Sequence, residues 1–346
     1  MAHKLAFVGF GGVGQGLAEI IQTKGTWLQE QFGMDFKIVS ISDLYKGSLH
    51  HSEGLDIDKV LQALKKDGTL ESYPETEGLV RGWDNITTIE KSNADTMVEI
   101  TFTDVNTGQP AIDHCKKAFV SGKNAVLTNK GPVALAYQEL NEIAKANNVC
   151  FSFEGTVMSG TPAIRMPLTS LVGNDIKEIR GILNGTTNYM LTKMEAGMDF
   201  DDALKEAQAK GFAEADPTSD IEGYDVLYKV IILANVIMNA DLKKEDVVCE
   251  GISSLTREDM NRAELENKKW KLIGKVKNEN GQINASVLPE MLPEEDPLSG
   301  ISGALNAITY ECDLSGPVTL IGAGAGIPET GFALLIDLIN LERNNL

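Results

Sequence analysis

The sequence predicts an α/β protein, with a parallel sheet in an N-terminal domain and a second, α+β domain after it. Strand and helix patterns alternate through the first 150 residues, and the order of elements becomes mixed after Cys150. Alternation indicates a parallel sheet, because each parallel strand needs a crossover helix to return the chain. The chain also shows no internal repeat, so two ordinary globular domains are expected for 346 residues.

The first part of the chain carries the clearer signals. Apolar and β-branched runs predict strands at Leu5–Gly9, Phe36–Ser42, Thr96–Phe102 and Asn124–Thr128. Amphipathic patterns predict helices at Val13–Gln31, Pro110–Val120 and Val133–Ala146. The last two helices each follow a strand, as a crossover connection requires.

The second part mixes strands and helices without regular alternation. Strands are predicted at Ile176–Leu183, Trp270–Val276, Ile283–Leu288 and Val318–Ile321. Helices are predicted near Thr186–Ala196, Phe200–Lys210, Ile221–Met238 and Thr330–Leu341, and the charged stretch Pro289–Pro297 as a surface loop. We therefore expect a first domain over residues 1–149, a second over 150–321, and a C-terminal segment, 322–346, that returns to the first.

Composition excludes several classes of partner. The formal net charge is −19 and no basic run offsets it, so binding to nucleic acid or to an anionic membrane surface is not expected. The four cysteines form no C-x-x-C pair, which is typical of a reduced cytoplasmic protein. The first residues do not resemble a signal peptide, and no apolar run approaches the ~18 residues of a membrane span.

A glycine-rich loop follows the first predicted strand and opens the first predicted helix. Its G-x-G-x-x-G pattern consists of Gly9, Phe10, Gly11, Gly12, Val13 and Gly14. Such glycines permit a tight turn, a close approach of the backbone to a pyrophosphate, and tight helix–strand packing. Asp43 ends the next predicted strand, where a carboxylate binds a ribose hydroxyl in dinucleotide-binding folds. The pattern predicts a Rossmann-type domain that binds NAD or NADP; a glycine-rich turn without a ligand is the alternative.

A segment dense in carboxylates, residues 211–229, ends in a lysine. Asp220 is predicted to cap the helix that follows it, just before the apolar-periodic stretch. Asp225 and Lys229 are i,i+4 on that helix, so they share a face that continues with apolar residues. Ionisable groups at the edge of a buried stripe are costly unless they are used, so the pair is a catalytic candidate. An ordinary ion pair on a helix surface is the alternative.

A second lysine, Lys130, follows the strand Asn124–Thr128 at the edge of the sheet where open α/β folds bind ligands. An exposed loop lysine is the alternative. The histidines all lie in the first third of the chain, at His3, His50, His51 and His114. Acid–base chemistry in the second domain therefore falls to lysine, tyrosine or a carboxylate, which favours Lys130 and Lys229.

The residues around these candidates resemble the homoserine dehydrogenase family. The longest motif is Ala207-x3-Gly211-Phe212-Ala213-x2-Asp216-Pro217-x2-Asp220-Ile221-x-Gly223-x-Asp225-x3-Lys229. Shorter motifs agree in order: the N-terminal glycine loop, Asn129-Lys130, Glu154-Gly155-Thr156-Val157-Met158-Ser159-Gly160-Thr161-Pro162, Gly181-Ile182-Leu183-Asn184-Gly185-Thr186-Thr187-Asn188-Tyr189, and Gly322-Ala323-Gly324-Ala325-Gly326. The resemblance extends over nearly the whole chain.

The resemblance implies an NAD(P)-dependent enzyme that interconverts L-homoserine and L-aspartate 4-semialdehyde in threonine and methionine biosynthesis. Lys229 would transfer the proton, with Asp225 beside it and Lys130 next to the substrate and the nicotinamide. The implied substrate contacts are Glu214, Asp220, Asp225, Gly185 and Thr186. The implied cofactor contacts are Gly9, Phe10, Gly11, Gly12, Val13, Gly14, Asp43, Thr101, Lys130 and Gly326. Because a carboxylate repels a 2′-phosphate, Asp43 favours NAD over NADP.

The resemblance also implies a structural sodium ion, held by Glu154 and by backbone oxygens of Val157, Ser159 and Thr161. Two positions depart from common family usage. Phe212 stands where a tyrosine is frequent, so any hydroxyl contact there is lost. Thr161 stands where an aliphatic residue is frequent, and its backbone oxygen is unaffected.

A homodimer is implied as well, with the sheet of the second domain as a natural interface. We expect the short form of the family, without a regulatory domain, and hence no allosteric inhibition by threonine. Two other functions stay open: a dehydrogenase of another small amino acid semialdehyde, and a non-catalytic protein that senses dinucleotides. Intact Lys130, Lys229 and Asp225 argue against the sensor.

Overall fold

Residues 2–343 are described by the computed structural model, and they form two compact units. The first unit comprises residues 2–156 with 326–343, and the second comprises Val157–Ala325. Both junctions lie a few residues later along the chain than the sequence indicated. The strand Phe151–Ser152 pairs with the first unit's sheet, and the strand Gly316–Ala323 continues the second unit's sheet past the expected junction.

The bounds of the elements are as follows. The strands are β1 (His3–Val8), β2 (Phe36–Asp43), β3 (Gly47–His50), β4 (Val80–Arg81), β5 (Thr96–Glu99), β6 (Asn124–Leu127), β7 (Phe151–Ser152), β8 (Ile176–Ile182), β9 (Val247–Cys249), β10 (Lys268–Glu279), β11 (Gln282–Pro293), β12 (Leu305–Cys312) and β13 (Gly316–Ala323). The helices are α1 (Gly12–Phe32), α2 (Ile57–Asp67), α3 (Asn85–Lys91), α4 (Ala111–Val120), α5 (Lys130–Ala146), α6 (Arg165–Thr169), α7 (Gly185–Glu195), α8 (Phe200–Ala209), α9 (Thr218–Ile221), α10 (Tyr224–Ile237), α11 (Arg257–Leu265) and α12 (Ile327–Glu342).

The sheet of the first unit has seven strands in the order β4-β3-β2-β1-β5-β6-β7. The strands from β2 to β7 in that order pair in parallel, which confirms the Rossmann-type fold predicted from the alternating pattern. The sequence predicted a parallel sheet, but β3 and β4 add an antiparallel edge to it. These edge strands are only four and two residues long, too short to leave a periodic pattern in the sequence.

The core of the first unit joins its two ends. Phe7 on β1 and Leu17 on α1 are buried in one apolar cluster with Leu334 and Leu338 of the C-terminal helix α12. The side chain of Ile327, at the start of α12, lies 3.1 Å from the position that a Cβ on Gly12 would take. The C-terminal helix therefore packs beside the glycine loop within this unit.

The sheet of the second unit has six strands in the order β13-β12-β8-β10-β11-β9. All neighbours pair antiparallel except β9 and β11, which agrees with the predicted α+β character. The stretch Pro289–Pro297, expected as a loop, begins as strand: β10 and β11 form a long hairpin, and β11 continues to Pro293.

Helix α10 covers one face of this sheet. A Cβ on Gly274 of β10 would lie 2.7 Å from a methyl of Val230 and 2.8 Å from a methyl of Val226. This glycine thus lets α10 approach the strands closely. Within residues 2–343 no helix combines the length and apolar character that crossing a bilayer requires.

Candidate active site

The glycine loop is packed on one side and open on the other. Gly9 has φ +89°, and a Cβ there would lie 2.7 Å from the carbonyl oxygen of Ile100. A Cβ on Gly14 would lie 2.6 Å from the Ile100 side chain, whereas one on Gly11 would meet nothing within 4 Å. Gly11 is the N-cap of α1 and no side chain caps that helix. The loop thus leaves the helix N-terminus accessible, which fits the pyrophosphate of a dinucleotide.

Asp43 is bonded to the glycine loop itself. Its Oδ2 accepts the N–H of Phe10 at 2.8 Å, and its Oδ1 accepts the N–H groups of Tyr45 and Lys46, both at 3.0 Å. Burial works against ionisation, but these backbone hydrogen bonds and the Lys46 charge outweigh it and hold the pKa of Asp43 below its ordinary value. Asp43 therefore ties the end of β2 to the loop, in addition to any contact with a ribose.

Asn129 joins the ends of two neighbouring strands beside Lys130. Its Oδ1 accepts the N–H of Gly131 at 3.1 Å and so caps α5, whose first residue is Lys130. Its Nδ2 lies 3.3 Å from the carbonyl oxygen of Thr101 and 3.4 Å from that of Phe102. Thr101 and Lys130 thus stand together at the carboxyl edge of the sheet, where open α/β folds bind ligands.

Gly326 lies at the same end of the first unit. It is the N-cap of α12 with φ +140°, a conformation that side-chain-bearing residues rarely adopt. The next residue, Ile327, contacts the positions where Cβ atoms on Gly12 and Gly16 would lie. The N-termini of α1 and α12 are therefore neighbours, although the sequence separates them by the whole of the second unit.

In the second unit, Lys229 and Asp225 form a buried pair on α10. The Nζ of Lys229 donates to Asp225 Oδ2 at 2.7 Å and to the carbonyl oxygen of Leu183 at 2.6 Å. Lys229 is only 6% exposed. This is not the ordinary surface ion pair that the sequence left open, because the ammonium is removed from water and held by two acceptors.

A residue that the sequence did not single out as a site residue, Asn184, connects the carboxylates. Its Nδ2 donates to Asp220 Oδ1 at 2.7 Å and to Asp225 Oδ2 at 2.9 Å. Its Oδ1 accepts the N–H of Thr187 at 2.9 Å and caps α7. One amide thus fixes the start of a helix and the separation of two acidic groups. We call Asn184, Asp220, Asp225 and Lys229 the lysine–carboxylate cluster.

The predicted helix over Ile221–Met238 is broken, and Asp220 does not cap it. Gly223, with φ +80°, separates α9 from α10 and is itself the N-cap of α10. Asp220 lies inside α9, and its carboxylate faces Asn184. Burial raises the pKa of Asp220, the Asp225 charge adds to this, and the Asn184 hydrogen bond and the Lys229 charge oppose it. The capping prediction was wrong because a left-handed glycine ends α9.

The other expected substrate contacts differ in how closely they pack: Gly185 and Thr186 are held at the start of α7, whereas Glu214 is exposed. Gly185 begins α7, and a Cβ there would lie 2.7 Å from the carbonyl oxygen of Ala304. Thr186 Oγ1 donates to the carbonyl oxygen of Phe212 at 2.5 Å, which holds the Phe212 loop against α7. The Glu214 side chain is exposed, and among the described residues it takes no part in the hydrogen bonds that join the cluster.

The residues expected to hold sodium include a strained turn. Met158 and Ser159 both have positive φ, 57° and 53°, although neither is glycine. Such backbone is costly and persists where the surrounding structure requires it. Thr161, in the same turn, donates from Oγ1 to the carbonyl oxygen of Ala323 at 3.3 Å. In the first unit Glu154 is buried, and its N–H donates to Asp337 Oδ2 at 3.0 Å.

A glycine loop at the edge of a Rossmann-type sheet and a buried lysine among carboxylates define an NAD(P)-dependent oxidoreductase. Comparison with known proteins identifies which one. The sequence model described as "Homoserine dehydrogenase" matches residues 162–339. The NAD(+)-dependent homoserine dehydrogenase of Pseudomonas canavaninivorans is 45% identical over 343 residues, covering 99% of this chain and 97% of that protein. The chain therefore belongs to the homoserine dehydrogenase family.

Further relatives agree. The homoserine dehydrogenase of Methanocaldococcus jannaschii is 42% identical over 97% of this chain and 98% of that protein. The crystal structure of a putative homoserine dehydrogenase from Archaeoglobus fulgidus superposes with a TM-score of 0.87 at 31% identity, covering 98% of this chain and 99% of that one. A hyperthermophilic archaeal homoserine dehydrogenase mutant in complex with NADPH superposes with a TM-score of 0.84, covering 99% and 98%.

Proposed function

We propose that this chain catalyses the NAD(P)-dependent interconversion of L-homoserine and L-aspartate 4-semialdehyde, and that Lys229 carries the proton. The observation behind the assignment is the geometry of the lysine tip. An ammonium has three N–H groups, and two of them here donate to Asp225 and to the Leu183 carbonyl. The lysine is thereby oriented, and its third N–H is left for a substrate oxygen.

The chemistry requires loss of a hydride from C4 of homoserine and of a proton from the C4 hydroxyl. The glycine loop would hold the pyrophosphate of the dinucleotide, whose nicotinamide would supply or accept the hydride when bound. Lys229 moves the proton: it donates to the substrate oxygen during reduction and takes the proton back during oxidation. Asp225 keeps the lysine tip in place at 2.7 Å, so that the proton is delivered in a fixed direction.

The acidic residues account for recognition of the substrate. Homoserine carries an ammonium group, which needs carboxylate acceptors. Asp220 and Asp225 share the Asn184 donor and supply two carboxylates, and Glu214 adds a third from the adjoining loop. The N-terminus of α7, at Gly185 and Thr186, favours the substrate's carboxylate, because a helix N-terminus attracts anions.

The decisive experiment is nicotinamide absorbance with L-homoserine and with a panel of other small amino alcohols, using NAD⁺ and NADP⁺ in turn. We expect turnover with L-homoserine above all. Preference for another amino alcohol would support the alternative of a dehydrogenase for a different semialdehyde. Tight binding of a dinucleotide without any turnover would instead support the non-catalytic sensor.

For the cofactor we propose NAD in preference to NADP. The Asp43 carboxylate at the end of β2 would accept from a ribose hydroxyl and repel a 2′-phosphate. The nearest cation is Lys46, whose Nζ is 3.9 Å from Asp43 Oδ2. The Asp43 carboxylate partly neutralises this charge, so Lys46 offers little attraction for a 2′-phosphate. The Pseudomonas canavaninivorans relative is named as NAD(+)-dependent, whereas the hyperthermophilic archaeal mutant was solved in complex with NADPH.

We also propose the structural sodium ion, with Glu154 and the backbone oxygens of Val157, Ser159 and Thr161 as its ligands. Sodium prefers oxygen ligands, and the strained turn at Met158 and Ser159 is a reason to expect that something fixes this backbone. We expect a higher melting temperature in NaCl than in choline chloride at equal ionic strength. Equal melting temperatures would remove the support for the ion.

A homodimer is proposed through the sheet of the second unit. Leu305 on β12 and Ile321 on the adjacent strand β13 are 45% and 56% exposed, whereas the exposed Val248 lies on β9 at the opposite edge of the sheet. Exposed apolar side chains on a sheet are typical of an interface. We expect sedimentation equilibrium to give twice the 37.4 kDa chain mass, and Ile321→Glu to shift it towards the monomer. A cytoplasmic location stays a prediction, to be tested by cell fractionation.

A further inference from the structure

A buried glutamate lies directly beneath the cofactor edge of the first unit. Glu99 is the last residue of β5 and is 0% exposed. Its Oε1 accepts the N–H of Thr101 at 2.8 Å and also the Thr101 hydroxyl. Its Oε2 accepts from Nδ1 of His114, on α4, at 2.6 Å. Three donors thus converge on one carboxyl group, which suits the acceptor-only, ionised form of glutamate.

The hydrogen bonds continue behind His114. Asn85 Nδ2 lies 3.4 Å from Nε2 of His114, and the Asn85 Oδ1 accepts the Ser42 hydroxyl at 2.7 Å. The directions are consistent throughout: Ser42 donates to Asn85, Asn85 to His114, and His114 to Glu99. The chain of bonds assigns the proton of a neutral His114 to Nδ1. It links the end of β2, next to Asp43, with the end of β5.

The peptide that Glu99 holds forms one wall of the glycine loop. A Cβ on Gly9 would lie 2.7 Å from the Ile100 oxygen and 2.9 Å from the Thr101 nitrogen. Asn129 binds the Thr101 carbonyl from the other side. Glu99 and Asn129 therefore hold the Ile100–Thr101 peptide by hydrogen bonds, and this peptide packs closely against the glycine loop. Any tilt of this peptide would move the backbone of Gly9.

We propose that Glu99, held by His114, is a positioning residue for cofactor binding. The proposal rests on the assignment of the glycine loop as the dinucleotide site. Burying an ionised carboxylate is costly, but an apolar residue in its place would leave the Thr101 and His114 donors without an acceptor. The carboxylate satisfies the Thr101 amide, the Thr101 hydroxyl and the imidazole together, which an apolar side chain cannot do. It thereby fixes the peptide on which the loop rests.

The test compares Glu99→Met with a matched control, Lys123→Met. Lys123 is also buried in the first unit, and its Nζ donates to the carbonyl oxygens of Ser92 and Ala94, at 2.8 and 2.9 Å. Lys123 directly precedes β6, so it lies at the amino ends of the parallel strands, whereas Glu99 lies at their carboxyl ends. We expect both variants to lower the melting temperature. Only Glu99→Met should raise the dissociation constant for NAD, by about tenfold, because a charge-assisted hydrogen bond at the loop is lost.

Glu99→Gln separates hydrogen bonding from charge. A glutamine still accepts from Thr101 through Oε1, and its amide donates to His114 if the imidazole takes the other tautomer. The donor and the acceptor then exchange roles in the bond between His114 and Asn85 and in the bond between Asn85 and Ser42. We therefore expect NAD affinity within about threefold of the wild type for Glu99→Gln. His114→Leu keeps the Thr101 contacts and removes one donor to Glu99 together with the acceptor for Asn85, so it should fold and weaken NAD binding by about threefold or more.

The outcomes are distinguishable. If Glu99→Met and His114→Leu lower stability as Lys123→Met does but bind NAD like the wild type, Glu99 is only structural and the proposal fails. If Glu99→Met does not fold, the comparison of His114→Leu with Lys123→Met decides the matter alone. A wild-type protein that binds neither NAD nor NADP would instead reject the dinucleotide site itself.

Discussion

Asp225 Oδ2 accepts both the Lys229 ammonium, at 2.7 Å, and the Asn184 amide, at 2.9 Å. One oxygen thus joins the proposed proton carrier to the residue that caps α7. The position of the lysine is consequently fixed from two helices and not from its own helix alone. Long lysine side chains are flexible, so this double attachment accounts for a defined direction of proton transfer.

Removing the lysine should abolish chemistry without unfolding the protein. We expect Lys229→Ala to lower kcat by about 10²–10⁴ while NAD affinity stays close to that of the wild type. Lys271→Ala is the matched control, because Lys271 is also buried in the second unit, with Glu195 Oε1 at 3.4 Å from its Nζ. It should lose stability and keep kcat. A Lys229→Ala enzyme with more than about a tenth of wild-type turnover would contradict the assignment.

Asn184 should govern substrate affinity. In Asn184→Ala the carboxylates of Asp220 and Asp225 lose their shared donor and α7 loses its cap. We expect KM for homoserine to rise by about tenfold, together with a loss of roughly 1 kcal/mol of stability. Thr256→Ala removes a comparable cap from α11 and should cost similar stability with KM unchanged. Equal KM values in the two variants would show that Asn184 only caps its helix.

The raised pKa of Asp220 leads to a prediction about stability. A carboxyl group whose pKa is higher in the folded state than its ordinary value of 3.8 favours folding while it is protonated. That contribution is complete below 3.8 and is lost as the pH rises through the folded-state pKa. Asp220→Asn keeps an acceptor for Asn184 and removes the charge. It should therefore melt higher than the wild type at pH 7, and the difference should shrink towards pH 4.

The same variant should lose activity, since the substrate's ammonium loses a carboxylate. Stability gained at the expense of function is common in binding sites. The measurements are melting curves between pH 4 and pH 8 and homoserine KM at pH 8. A variant less stable than the wild type at neutral pH would show that the Asp220 charge is favourably paired, against the direction of its pKa shift.

Asp43 should affect affinity as well as cofactor choice. Asp43→Ser removes the repulsion of a 2′-phosphate, so the ratio of NADP to NAD affinity should rise. It also removes the acceptor for the N–H of Phe10, so binding of both cofactors should weaken in absolute terms. Dissociation constants for NAD and NADP in wild type and variant decide this. A wild-type protein that prefers NADP would contradict the proposed preference.

Local patterns were legible from the sequence, and they include half of the lysine–carboxylate cluster. Asp225 and Lys229 are one helical turn apart, so their contact follows from helical periodicity alone. The glycine loop was equally legible, because all of its chemistry lies in consecutive residues. The strand–helix alternation then sufficed to predict the Rossmann-type sheet.

Contacts between distant residues were not predictable in this way. Asn184 contacts Asp220 and Asp225, which are 36 and 41 residues further along the chain, and the residues next to Asn184 show no pattern that predicts these contacts. Strand β12 was missed for a different reason. Both of its faces are largely buried, and buried Asn306 and Thr309 interrupt its apolar run. The period of two on which strand prediction depends is therefore absent.

The break at Gly223 divides the carboxylates of the lysine–carboxylate cluster between two helices. It places Asp220 on α9, a helix of four residues, while Asp225 and Lys229 remain on α10 against the sheet. A short element can be altered with little disturbance to the helix behind it. With the roles proposed above, replacements in α9 would change one substrate carboxylate without changing the helix that carries Lys229. Variation in substrate affinity would then be tolerated at Asp220 sooner than at Asp225, which also holds the lysine.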